Sequence, residues 1–172
     1  MTLFLVKRSI WSAPRLLRRL AAQESGSALI ELALALSFLG LPLLLGTIYT
    51  GVLAFDNIEI ANAAHAGALY GMQSSTYASD SAGITTAAQT EAPDFGTAMT
   101  VTPVIFYACS SAIDGTQYST QAAATLACTG GTNHALEFIQ VTASYAATPF
   151  ARIAGMQQTV TVSSVSVMEV EE

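Results

Sequence analysis

Few side chains in this sequence carry the means for chemistry, and those few do not converge. Of two histidines, His65 sits in an alanine-rich run that reads as helix, in a structural position, and His134 borders a strand in a Gly/Asn loop and reads as solvated. Serines are plentiful, yet no Gly-x-Ser-x-Gly elbow presents one as a nucleophile. "CTGGTN", residues 128–133, lacks the lysine and the following helix of a phosphate-binding loop. Cys109 and Cys128 have no CxxC spacing, and His134 alone nearby makes a poor zinc site. Asp80, Glu91, Asp94 and Asp114 are scattered through turns and give no support for calcium binding. These observations point to a protein that is not an enzyme, with no cofactor, no metal and no small-molecule substrate. The one chemically costly residue is Glu31, in "GSALIEL" (Gly26 to Leu32), a carboxylate just inside a long apolar run. A carboxylate in hydrocarbon is expensive and needs a reason.

The element that places Glu31 runs from Ser27 to Phe55, where it is the only charged residue among 29. About 20 apolar residues span a bilayer as a helix, and Leu32 to Leu53 meets that alone. The run is too long for the apolar part of a secretory signal, and no Ala-x-Ala-like site follows it cleanly. Charge is scarce, at 10% of residues, so its placement is informative. Residues 1–26 hold Lys7, Arg8, Arg15, Arg18 and Arg19 against Glu24, a net of +4. The rest holds Arg152 against eleven acids, a net of −10. By the positive-inside rule the N-terminus is cytoplasmic and the acidic bulk lies across the membrane, with Asp56 and Glu59 at the exit. An acidic bulk without a basic patch argues against nucleic-acid binding. Pro42 is expected to bend the span, and Gly46/Thr50 and Thr47/Gly51 offer four-residue small spacings for close helix approach.

Three readings compete for Glu31. It can be wet, close to the cytoplasmic surface. It can belong to a proton or ion relay, although the span holds no further ionisable group. Or it can find a positive partner on assembly, such as the free N-terminal amine of a neighbouring subunit.

"GSALIEL" resembles the processing motif of type IV pilins: Gly, a small or aromatic residue, a short apolar stretch, then Glu as the fifth residue of the mature chain, all after a basic leader. The resemblance implies a cut by a membrane prepilin peptidase between Gly26 and Ser27, and an assembly role for Glu31. Ser27 stands where most major pilins have an aromatic residue, and Ser25 where a basic one is common. Beyond the span, "FDNIEIANAAHAGALYGMQ" (Phe55 to Gln73) is similar to the Asn- and Ala-rich helix of TadE-type minor pseudopilins of the tight-adherence (Flp) pilus system. Asn62, Ala63, Ala64, Gly67, Ala68 and Tyr70 match, whereas His65 and Ala66 replace a usual Arg and acid. The resemblance covers about Gly26 to Met72, and is recognisable again in "FIQVTASYAATPF".

The fold expected is α+β and pilin-like. A leader occupies residues 1–26 and a transmembrane helix residues 27–55. That helix continues to about Met72 into an extracytoplasmic domain, residues 56–172, with a roughly three-stranded antiparallel sheet. A row of small residues, Ala63, Gly67 and Gly71, lets the sheet or another helix pack close. A short helix is expected near 82–91, capped by Asp80 or Ser81. Strands are expected over Thr97–Ala108, Leu136–Tyr145 and Thr159–Val170. Pro103 confines the first to an edge or a kink. In the third, a bulge at Ser163–Ser164 would keep Val160, Val162, Val165 and Val167 on one face. Ser110 to Asn133 reads as an exposed flap bracketed by Cys109 and Cys128. In an oxidising compartment these read as a disulfide in preference to free thiols.

The function this implies is a minor pilin or pseudopilin, a structural subunit in assembly of a tight-adherence pilus, held in the bacterial inner membrane. The implied partners are the membrane, a prepilin peptidase, other pilin-like subunits including the major pilin, and the pilus assembly platform with its ATPase. Two alternatives stand beside it: a pseudopilin of a type II secretion or competence system, and an uncleaved single-pass anchor displaying a binding domain.

Overall fold

One helix, α1, runs over Gly26–Gly71 in the computed structural model, which describes residues 26–113, 115–148 and 159–171. The leader through residue 25, together with Asp114, Arg152 and Glu172, lies outside the described residues. The chain divides into two compact units, Met1–Ile48 and Tyr49–Glu172.

In the first unit, α1 is apolar on every side. Leu29, Phe38 and Leu43 are exposed, and no residue of the 18-residue window with mean hydropathy 2.3 is buried. A helix apolar all round needs an apolar surrounding, and α1 is long and apolar enough to cross a membrane. Two of its hydroxyls bond within the helix: Ser37 Oγ donates to the Ala33 carbonyl (2.7 Å) and Thr47 Oγ1 to that of Leu43 (2.8 Å). A π turn occupies Leu36–Gly40, where the Leu41 N–H reaches back to the Leu36 carbonyl. Pro42 follows directly. It supplies no N–H to the Phe38 carbonyl and its ring crowds that carbonyl, so the winding loosens one turn ahead of it.

In the second unit, α1 has one buried face, made by Ile60, Ala63, Ala64, Gly67, Ala68 and Gly71. The spacing is that of a single helical stripe. It lies on a three-stranded antiparallel sheet of order β1 (Thr100–Cys109), β2 (Ala135–Ala147), β3 (Val160–Glu169). Ile139 and Val141 of β2 are fully buried beneath it. A Cβ built on Gly67 would stand 3.1 Å from Val141 Cγ1, and one on Gly71 3.0 Å from Ile139 Cγ1. The expected row of small residues is therefore what lets helix and sheet approach. Toward the other end of the sheet Phe95 packs on Tyr145, ring centroids 4.5 Å apart, in a cluster with Ile60, Ala88, Met99 and Val162.

Two short helices follow α1. Ser74 caps α2 (Ser75–Ser79), which the sequence reading lacked, by accepting from the Tyr77 N–H. Asp80 caps α3 (Ser81–Glu91) by accepting from the Gly83 N–H at 3.0 Å. Its second oxygen takes the Tyr70 hydroxyl at 2.9 Å, and Tyr77 meets the Tyr70 ring edge-on, centroids 5.0 Å apart. A side chain on Gly83 would collide with both Tyr70 and Asp80. The backbone bond from Gly83, then that from Tyr70, hold the Asp80 carboxyl below its ordinary value. With a folded pKa under the unfolded one, its stabilisation is complete above the unfolded value and fades as pH falls through the folded one. Acid unfolding of the parent below about pH 4 therefore includes a component that Asp80→Asn removes, seen as a shallower pH dependence of the thermal midpoint in that range.

The strands match expectation closely in extent, and β1, with Pro103, is an edge strand. β3 corrects the sequence reading. No bulge interrupts it: Ser163 pairs Ser144 and Ser164 pairs Ala143 in unbroken register. Val160 and Val162 therefore share the inner face with Ser164 and Ser166, while Val165 and Val167 lie on the outer face, 55% and 47% exposed. Small serines suffice on the inner face because α1 comes so near. The segment expected as a flap is more ordered than that. Tyr118 exchanges both backbone bonds with Tyr107 (2.8 Å each), and α4 (Gln121–Ala127) is capped by Thr120 and buries Ala124.

Candidate functional site

Glu31 lies in the first turns of the described α1, exposed, with Leu29, Ile30, Leu32 and Leu34 around it also exposed. Among the described residues no cationic side chain is available to meet it. These contain Glu31, Asp56, Glu59, Asp80, Glu91, Asp94, Glu137, Glu169 and Glu171, and no lysine or arginine. A cation for Glu31 must come from the leader, from Arg152, from a new N-terminus or from another molecule. The chemistry available to this carboxylate is charge pairing in an apolar medium, where an ion pair is strong and an unpaired ion is costly. Gly26 and Ser27, the expected cleavage residues, are exposed at the start of the described chain, and a Cβ on Gly26 would meet nothing within 4 Å.

A second acidic feature went unread in the sequence. Beyond the span, Glu59 sits with one carboxylate oxygen, Oε2, shielded from solvent and without a hydrogen bond. Loss of solvation, then repulsion by Asp94 and by Asp56, push its pKa up. Asp56 is one turn away, but Asp94 arrives only through the fold, so local spacing gave no signal of it.

Cys109, the last residue of β1, is joined to Cys128, the C-cap of α4, with Cα atoms 5.3 Å apart. On the outer sheet face Phe106 and Phe138 stack with centroids 5.3 Å apart. Asn133 Oδ1 accepts from Ser110 Oγ and the Ser111 N–H, both at 3.2 Å. His65 and His134 are both exposed, and the His134 backbone N–H donates to Ser110 Oγ at 3.1 Å. The His134 ring nitrogen Nδ1 lies 2.9 Å from the Thr132 carbonyl. An open cleft of about 640 Å³ lies between Met72, Leu136, Val170 and the carboxylates Glu137, Glu169 and Glu171. Among the described residues no group of three His, Cys, Asp or Glu side chains is placed to hold a metal. No family model, curated protein or solved structure matches the chain.

Proposed function

We propose that this chain is a minor pilin-like subunit, of the TadE type, that serves assembly of a tight-adherence pilus. In this reading it is made as a precursor with its basic leader in the cytoplasm and its acidic domain across the inner membrane. A prepilin peptidase removes residues 1–26. The freed helix then bundles with those of other pilin-like subunits on the assembly platform, Glu31 pairing with the Ser27 amine of a neighbour. The observation that carries the reading is Glu31 itself: the only carboxylate in the apolar length of α1, exposed, and without a cation among the described residues. Its position five residues after Gly26 supplies the partner, because a cut there creates an amine at the matching depth of the next helix. The experiment is expression beside an active or an inactivated prepilin peptidase. The expected result is loss of the leader and recovery in pili with the active enzyme alone. Equal recovery with both would overturn the proposal.

A further inference from the structure

In the second unit α1 is buried on one side only. At 3.6 residues per turn, Ile60, Ala63, Ala64, Gly67 and Ala68 fall on the side that meets the sheet. Phe55, Ile58, Asn62, His65 and Leu69 fall on the opposite side, and all five are exposed, the three apolar ones at 56%, 61% and 45%. Their spacing alternates three residues and four, which is the a/d seam of a coiled coil, with Asn62 at an a position. A seam of that period fits one kind of cover, a second helix winding along it. Beside the seam stand Ala54, Ala61 and Ala66, and Glu59 is the one charge at such a flanking position.

We propose that this seam pairs, parallel and in register, with the same seam of a second copy of this chain, as a two-stranded coiled coil outside the membrane. The proposal rests on the reading that copies of α1 cross one membrane in one direction, and not on cutting after Gly26. Such anchors deliver a second α1 parallel and at the same depth, so each seam residue meets its own copy. Asn62 is what identifies that copy. Its side-chain amide both donates and accepts, so two Asn62 side chains satisfy each other, whereas an apolar partner residue would strand these groups. A single Asn at an a position is a device by which parallel helix pairs fix their register. His65, when neutral, likewise offers one donor and one acceptor nitrogen to its own copy. The charges agree with self-pairing. In the parallel register Glu59 faces Ala54 of the second copy, so an acidic chain pairs with itself and no carboxylates meet. Each sheet lies on the far side of its own helix and leaves the contact clear.

The test uses the full-length chain in membranes that lack a prepilin peptidase, so its outcome does not depend on removal of the leader. Single cysteine replacements are oxidised and the products weighed. Ile58→Cys should give a covalent homodimer at least tenfold more abundant than Asn57→Cys, which is equally at the surface and next in the chain but turned away from the seam. His65→Cys should also give a homodimer. Mixed dimers of Ile58→Cys with His65→Cys should be at least tenfold rarer than either, because in register those positions stand seven residues apart, about 10 Å along the axis. Equal yields from Asn57→Cys and Ile58→Cys, mixed dimers as abundant as the homodimers, or capture of a different protein alone would each overturn the proposal. Asn62→Asp gives a second readout at an exposed position that the fold does not use. Two carboxylates would then meet in the seam, and the Ile58→Cys homodimer should fall at least tenfold. An undiminished yield overturns the proposal as well.

Discussion

Glu31→Ala should leave the precursor cut as in the parent and abolish recovery of the subunit in pili. In the proposed reading the peptidase recognises residues flanking Gly26 and has no need of the charge, whereas assembly needs it. In the proposed bundle the Ser27 amine of a neighbour lies in an apolar setting, and removing one member of such a pair strands the other at about 3–5 kcal/mol. That is a factor of about 150 to 5,000 in association at each contact. Glu31→Gln, which keeps shape and hydrogen bonding but not charge, should fail nearly as badly, and that variant separates charge pairing from packing. Recovery of Glu31→Ala at parental levels would show that the carboxylate is merely wet at the membrane surface. In the proposed reading the partner of Glu31 is made by cutting and delivered by another subunit.

Loss of the Cys109–Cys128 bridge is the second large effect expected. In the chain-entropy picture, closing a loop of 19 residues is worth about 3 kcal/mol. The double replacement Cys109→Ala with Cys128→Ala avoids a stray thiol and should lower unfolding stability by about that amount, with the parent falling to match once reduced. The loss should be felt where the bridge sits. Phe106 stands three residues before Cys109 on β1, and near-ultraviolet dichroism of the Phe106–Phe138 pair should weaken before helix content does. Denaturant titration with and without reductant measures it. A change below about 1 kcal/mol would mean that the Tyr107–Tyr118 exchange and Asn133 hold the segment by themselves, since hydrogen bonds of this kind are worth about 1 kcal/mol each.

How much of this was legible in the residues depended on how local each cause was. The apolar length of α1, the row Ala63, Gly67 and Gly71, and the edge position of Pro103 each follow from a side chain's own size or missing N–H. They appear in the structure where they were expected. The cap at Asp80 was read for the same reason. The cap signals at Ser74 and Thr120 are equally local, but each opens a helix of only two turns or fewer, too short for periodicity to mark. β3 was misread because four valines were assumed to want one face. The inner face is shallow under α1 and takes Ser164 and Ser166, leaving Val165 and Val167 outside, a result set by helix–sheet distance and invisible in the strand itself. The candidate site divided likewise. Glu31 was legible as a single charge in an apolar run. The crowding of Glu59 by Asp94 was not, since it is made by the chain returning after α3.

The central claim is that the chain is cut after Gly26 so that Glu31 gains a partner, and the mass of the chain recovered from membranes that contain an active prepilin peptidase tests it most directly. The account predicts an N-terminus at Ser27, bearing at most a small modification such as a methyl group, with the 26-residue leader gone and the Cys109–Cys128 bridge intact. A chain that still begins at Met1 in those membranes would contradict it and leave a permanent single-pass anchor in its place.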